Sequence, residues 1–325
     1  MAEAPTGNEV TRRRRSRSDR RRSTATTRET GVWYPKAYWP SFAAPGVLWL
    51  AVWFLLPFYV VLSVAFGSVD PAFRLAEPTF QFWWWDFSTF QETLEGFYVA
   101  PAIYQDPAIR TLTYVIVAST VCLMVGYPIA YFTARHAGRW RSLILVLLVA
   151  PFWISYLMRV YAWQSLLQPD GYINDILGVV GVEPILWLSG KQFTVILGLV
   201  YGYIPFMILP LYASLDRIQQ SHLEAGRDLG AGPARTFLRV TLPLSKQAIL
   251  AGLVIVALPM FGDYYTNDLL GSDATSTLGN MVDNAIVQAG QQPAAGGLAI
   301  VLMVLVLIPM LYYMRETRRA ISRTS

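Results

Sequence analysis

The sequence predicts an all-α membrane protein with six transmembrane helices, and three observations carry that prediction. Apolar residues fill 54% of the 325 positions and charged residues only 14%, where a soluble domain carries roughly a quarter. Six stretches stay apolar long enough to cross about 30 Å of hydrocarbon at ~1.5 Å per residue. These runs are continuous rather than alternating, so helices and not barrel strands must satisfy the backbone in lipid.

In chain order the candidate spans are Phe42–Phe66, Ile109–Ala134, Ser142–Leu167, Phe193–Leu215, Gln247–Thr266 and Ala294–Met314. Residues 42–314 are therefore read as the membrane domain. Residues 1–41 differ in kind. They hold Arg12–Arg15, Arg17, Arg20–Arg22 and Arg28 among Ser and Thr, a composition that buries no core and predicts a disordered basic tail. No apolar core of a signal peptide follows promptly. An arginine run also occurs in nucleic-acid-binding tails. Beside a membrane span it reads instead as a cytoplasmic tail that fixes topology and touches anionic lipid, with no nucleic acid as partner.

Orientation follows from the bases. With the N-terminal tail inside, the inner segments are 1–41, 135–141, 216–246 and 315–325, and they hold 22 of the 26 Lys and Arg residues. Arg110 and Arg159 lie in or beside spans, which leaves Arg74 and Lys191 outside. Both termini are expected to be cytoplasmic, with 315–325 a short second tail.

Composition also excludes chemistry. Cys122 is the one cysteine, and His136 and His222 fall in polar connectors. No metal-ligand spacing exists, and no histidine lies within a span. A membrane-embedded enzyme would need paired acid and base groups or metal ligands there. No catalytic residue and no metal site is expected.

The inner segment 216–246 carries the sharpest pattern. It reads Glu224-Ala225-Gly226-Arg227-Asp228-Leu229-Gly230, then nine residues, then Val240-Thr241-Leu242-Pro243. The first part predicts a short polar helix with Ala225 and Gly226 on a close-packing face. Gly230 suits its end, because glycine accepts a left-handed backbone past the last turn. Gly232-Pro233 makes a turn, Phe237 and Leu238 begin a second amphipathic stretch, and Pro243 is read as the point where the chain turns up into the fifth span. A helix–turn–helix of this kind is a docking element for a soluble partner.

This segment resembles the EAA loop of ABC-importer permeases: Glu-Ala-Ala, three residues, Gly, nine residues, an aliphatic residue, one more, Leu-Pro. Gly226 replaces the second Ala and Val240 the usual Ile. The resemblance implies a type I ABC-importer permease fold in which Glu224, Ala225, Gly226, Asp228 and Gly230 belong to a coupling helix gripped by an ATPase subunit. No phosphate-binding loop of the Walker type occurs here; Gly190-Lys191 lacks the upstream glycine and the following Ser or Thr. ATP and magnesium are therefore expected on a partner ATPase dimer, with no cofactor in this chain.

The likeness extends over most of 40–320 and is closest to the spermidine/putrescine permeases, the first of their two paired subunits. It rests on Ala150-Pro151-Phe152-Trp153 with Arg159-Val160-Tyr161, on Gly171-Tyr172-Ile173-Asn174, and on Gly198-Leu199-Val200-Tyr201, Pro205-Phe206 and Leu209-Pro210-Leu211-Tyr212. Leu258-Pro259-Met260-Phe261-Gly262-Asp263-Tyr264-Tyr265, Asp268-Leu269-Leu270-Gly271 and Gly279-Asn280 complete it. The resemblance implies a second permease subunit and an extracellular solute-binding protein as further partners, in the cytoplasmic (inner) membrane of a bacterium. Permeases for a sugar, ferric iron or an oxyanion are the alternative within the same class.

The residues speak to the pathway on their own. Pro259 lies about 18 Å along the fifth span and Asp263 about 24 Å. Proline there removes a backbone hydrogen bond and Gly262 loosens the helix further. A carboxylate at that depth must face protein or water. Asp263, Tyr264, Tyr265 and Asp268 combine charge with aromatic faces, the chemistry a polycation needs, at roughly 0.5–2 kcal/mol per cation–π contact. Tyr161 and Trp163, near Asp170, do the same at the outer end of span three, where they also suit an interfacial belt. The Phe80–Phe90 aromatic cluster, with Trp83, Trp84 and Trp85, reads as a belt at headgroup level or as a surface for the binding protein. Arg159 cuts the other way and is read as structural.

Overall fold

The computed structural model describes residues 38–70, 72, 76–288 and 290–321, with side chains omitted at 38–40 and 319–321. The arginine run of the predicted tail lies outside the described residues. The chain divides into two compact units, Met1–Pro57 and Phe58–Ser325. Helix α1 spans Tyr38–Ala65, and within 41–57 its large apolar side chains are exposed, Phe54 at 73% and Leu50 at 69%. Such a surface marks contact with a membrane or with another protein.

In the second unit, a two-residue hairpin (β1 Ser68–Val69, β2 Ala76–Glu77) and α2 (Ser88–Glu95) precede the long α3, Gln105–Arg135. Then come α4 (Arg141–Val149), a 3₁₀ turn at Ala150–Trp153, α5 (Tyr156–Leu166) and α6 (Tyr172–Val179). Next are α7 (Gln192–Arg217), α8 (Gln220–Asp228) and α9 (Pro233–Thr236). A π turn at Phe237–Thr241 leads into α10 (Leu242–Phe261), followed by α11 (Tyr265–Leu270), α12 (Leu278–Val287) and α13 (Gln292–Ile321).

Among the described residues five helices are long and apolar enough to cross a membrane, and they become six only if a bent pair, 138–153 with 156–166 at 90°, counts as one span. The expectation of one unbroken third span is therefore corrected. Pro151 withdraws a backbone donor, the chain tightens into the 3₁₀ turn, and Ile154 and Ser155 are extended (ψ 139° and 141°) before α5 restarts. A second correction concerns Pro243. It does not turn the chain: helix runs without interruption from Pro233 to Phe261. Pro243 has no N–H for the carbonyl four residues back, and the ladder slips by one residue just before it, Leu242 donating to Phe237. A π bulge is the usual outcome of such a slip.

The core of this unit is built by α3, α7 and α10. Met207 on α7 is wholly enclosed. It packs between Gly126 of α3, where an added Cβ would meet its side chain at 3.3 Å, and Gly252 of α10, where a Cβ would meet its Sδ at 2.7 Å. Small residues let helices approach where lipid offers no hydrophobic drive. Tyr127 and Ser245 share a buried hydrogen bond of 2.9 Å between α3 and α10.

The segments predicted to share a side do meet. Arg141 pairs with Asp216 at 2.8 Å, Arg135 Nη2 donates to the Ile218 carbonyl at 2.8 Å, and Lys246 approaches Glu316 at 3.7 Å. At the other end Arg110 donates to the Ser276 carbonyl at 2.8 Å. Asn174 staples its own loop there by hydrogen bonds to Gln168, Pro169, Ile185 and Trp187.

Candidate functional site

Two regions hold the residues singled out by sequence. The first is the segment around α8. Its C-terminus closes in a Schellman arrangement: Ala231 N–H donates to the Gly226 carbonyl at 3.1 Å, and Gly230 N–H to Arg227 at 2.8 Å. Gly230 has φ +78°, the left-handed conformation this cap demands. Leu223 is buried and Gly226 half-buried. A Cβ at Gly226 would lie 3.5 Å from both Thr236 and Val240, so this helix packs on the stretch that follows it. Glu224, Ala225, Arg227, Asp228 and Leu229 are exposed, Leu229 at 89%. The close-packing face thus holds Gly226 but not Ala225, which stands on the outward face with Glu224.

The second region is the break after α10. The helix passes Pro259, ends at Phe261 and is capped by Gly262. Asp263 then anchors the restart: its Oδ1 accepts from the Thr266 N–H at 3.0 Å. Its Oδ2 accepts from three hydroxyls, Tyr156 at 2.6 Å, Thr266 at 2.9 Å and Tyr203 at 3.0 Å. The Tyr156 and Thr266 hydroxyls also lie within hydrogen-bond distance of each other, so the single proton of one of them is shared between that contact and Asp263. Asp263 is 8% exposed. One carboxylate therefore ties together α5, α7 and α11, the two helices that restart after a break and the long helix between them.

Glycines make that approach possible. A Cβ at Gly202 would lie 2.6 Å from the Tyr156 ring, and one at Gly198 would lie 2.6 Å from Leu270 and 2.8 Å from Thr266. The two glycines are one turn apart on the same face of α7.

The other residues expected to line a pathway are less enclosed than Asp263. Tyr264 and Tyr265 stack with ring centroids 4.0 Å apart, and Tyr265 is 43% exposed. Asp268 is exposed and accepts a hydrogen bond from Asn280. Partial desolvation raises its carboxyl above the ordinary value, against the lowering effect of Asn280; Asp283 and Asp263 add to the rise. Tyr264, Asp283, Gly262 and Gly279 line a cavity of ≈ 250 Å³ with residues of α12 and α13. Tyr161 is exposed on α5, and Trp163 packs edge-on to Tyr201 at 5.3 Å.

Sequence reasoning missed Tyr156, Tyr203 and Asn280 as polar partners. Asn280 also accepts from Thr277 N–H at 2.9 Å and donates to the Tyr264 carbonyl at 3.1 Å. No local signal marks a tyrosine in an apolar run as a carboxylate's partner, although Pro151 marks the break that aims Tyr156. In the aromatic cluster, Trp85 stacks on Phe66 at 4.9 Å and donates to the Thr79 carbonyl, while Phe82, Trp83 and Trp84 are exposed.

Residues 96–319 match the family of binding-protein-dependent transport system inner membrane components. The chain is 31% identical over 272 residues to the spermidine/putrescine transport system permease protein PotB of Escherichia coli K12, covering 83% of this chain and 94% of that one. It is 33% identical over 273 residues to the protein of the same name from Haemophilus influenzae, covering 83% and 91%. A chain of the crystal structure of a bacterial alginate ABC transporter, in complex with an alginate pentasaccharide-bound periplasmic protein, superposes with a TM-score of 0.68 at 18% identity, over 87% of this chain and 95% of that one. A chain of the inward-facing MetNI methionine ABC transporter gives 0.51 at 18% identity, over 68% and 98%. At that identity the structures share the fold. The match over 96–319, the identity to two permeases along nearly their whole length and the common fold agree: this chain belongs to the binding-protein-dependent transport system inner membrane components, the permease subunits of ABC importers.

Proposed function

We propose that this permease subunit imports polyamines of the spermidine/putrescine class, with a second permease, an ATPase dimer and an external solute-binding protein. The observation that carries the solute is the 31–33% identity to permeases named for spermidine and putrescine, over 83% of this chain. The site chemistry agrees with it. Stacked Tyr264 and Tyr265 offer π faces beside Asp268, the pairing an alkylammonium needs, and Tyr161 and Trp163 extend the aromatic lining along α5.

Glu224, Ala225 and Asp228 stand on the exposed face of α8, and in this reading they meet the ATPase. Closure of the ATPase dimer around ATP and magnesium pushes on α8. The uninterrupted helix from Pro233 to Phe261 carries that push to the break at Gly262. Both termini lie in the cytoplasm, on the side where the bases concentrate. Arg159, the residue that would favour an oxyanion, has its Nε and Nη1 enclosed and does not open to the cavity beside Tyr264.

The test is uptake by the assembled importer in proteoliposomes. ATP-dependent and binding-protein-dependent accumulation of spermidine, unaffected by excess sugar, sulfate or ferric citrate, is expected. Accumulation of one of those solutes without spermidine would overturn the polyamine reading and leave the permease assignment standing.

A further inference from the structure

Among the described residues, Arg159 has two enclosed side-chain nitrogens without a partner, where Tyr114, Arg135 and Asn267 each have one such atom. Arg159 is 9% exposed, and its Nε and Nη1 are enclosed without a hydrogen-bond acceptor. No salt bridge to it exists among the described residues. It also sits in the first turn of α5, the end of a helix where a positive charge is disfavoured. Its guanidinium is held by rings instead, 3.9 Å from the Phe152 centroid and 5.5 Å from that of Tyr156. An arginine stays charged in a protein, and a lone charge at membrane depth is costly.

The opposite charge meets the same tyrosine at its hydroxyl. The Tyr156 ring faces Arg159, and its hydroxyl donates to Asp263 Oδ2 at 2.6 Å. Among the described residues the Asp263 carboxyl faces only donors, the Thr266 N–H and the hydroxyls of Tyr156, Tyr203 and Thr266. That is the pattern of an acceptor-only carboxylate. Among the described residues no ammonium or guanidinium pairs with it. The sequence thus places one positive charge on α5 and one negative charge in the break just before α11, and the fold brings one tyrosine against both.

We propose that Arg159 is the counter-charge of Asp263 across Tyr156, a positioning residue that balances the buried carboxylate and holds α5 to α11. Asp263 is then part of the frame behind the pathway, and the solute's ammonium groups meet Tyr264, Tyr265 and Asp268 instead. Breaking a buried pair by removing one member leaves an uncompensated charge, whereas removing both is often neutral. That asymmetry is the readout.

The experiment compares the full-length chain in lipid nanodiscs as wild type, Arg159→Met, Asp263→Asn and the double variant, by thermal unfolding without any solute. Each single variant is expected to melt below wild type and the double variant above both. A double variant that melts at or below the weaker single would overturn the proposal, because packing losses alone add. Where the singles do not accumulate in the membrane, the amount of protein reaching it is the readout, and only the double and Arg159→Lys should recover it; equal loss in Arg159→Lys and Arg159→Met would also overturn the proposal. The last step, on where the solute binds, rests on the polyamine reading and is read separately. If Asp263 were instead the solute's own carboxylate, spermidine uptake lost in Asp263→Asn would stay lost in the double variant. Since the melting series needs no solute, it fails or succeeds independently of that reading.

Discussion

Gly202 and Gly226 are both glycines inside a helix that faces another helical segment, yet a methyl group would meet opposite receptions. At Gly202 it would sit 2.6 Å from the Tyr156 ring; at Gly226 it would touch Thr236 and Val240 at an ordinary 3.5 Å. The first glycine belongs to a buried polar knot in which Tyr156, Tyr203, Thr266 and Asp263 satisfy one another. The second belongs to a helix whose own fold needs only Leu223 and its capped end. In the knot, the polar groups are spent on holding three helices together. In α8 fold and function lie on opposite faces of one helix.

The largest effect should therefore come from the exposed face of α8, with no cost to folding. Glu224 is exposed and makes no salt bridge among the described residues. Glu224→Lys should leave the chain's unfolding midpoint unchanged while reducing co-purified ATPase on the order of tenfold or more, since a like-charge juxtaposition at an interface costs several kcal/mol. Undiminished capture of the ATPase would remove Glu224 from the docking face and make the two regions less different than they look.

Gly202→Ala comes next and should behave in the reverse way. The Tyr156 ring must move, and moving it disturbs two of the hydrogen bonds around Asp263 and Thr266. Overpacking of this kind costs typically 1–3 kcal/mol. Unfolding of the full-length chain in detergent should show a loss of about that size, and uptake should fall with it while ATPase capture persists. A variant as stable as wild type would mean that the knot yields where it is drawn as rigid.

How much of this was legible differs between the same two regions. The α8 segment is local: Gly230 announces its cap, and the spacing from Glu224 to Pro243 is contained in twenty residues. Its helix and its cap are where the residues put them, but Ala225 faces outward, and the missing N–H of Pro243 slips the helix ladder into a π turn instead of turning the chain. The knot is not local. Asp263, Tyr156 and Tyr203 are far apart in the chain, and what brings them together is a pair of breaks. The break at Gly262 was legible from Pro259 and Gly262 beside a carboxylate. The break at Ile154–Ser155 was not, because an apolar run of the right length reads as one span whether or not Pro151 bends it. Hydropathy reports which residues avoid water; it is silent on the direction in which a helix resumes.

Gly226→Ala is the smallest effect and the cleanest separation of the two regions. Glycine in a helix interior costs roughly 0.5–1 kcal/mol relative to alanine, through the backbone freedom lost on folding. The methyl group finds Thr236 and Val240 at van der Waals distance, so nothing offsets that gain. Gly226 points inward while Glu224 and Asp228 point out, so the docking face is untouched. The variant should unfold at slightly higher temperature, capture as much ATPase as wild type and transport at the same rate. If transport falls although the chain is more stable, the α8 helix must loosen from Thr236 and Val240 during the cycle. The two faces of α8 would then be coupled by motion even though they are separate at rest.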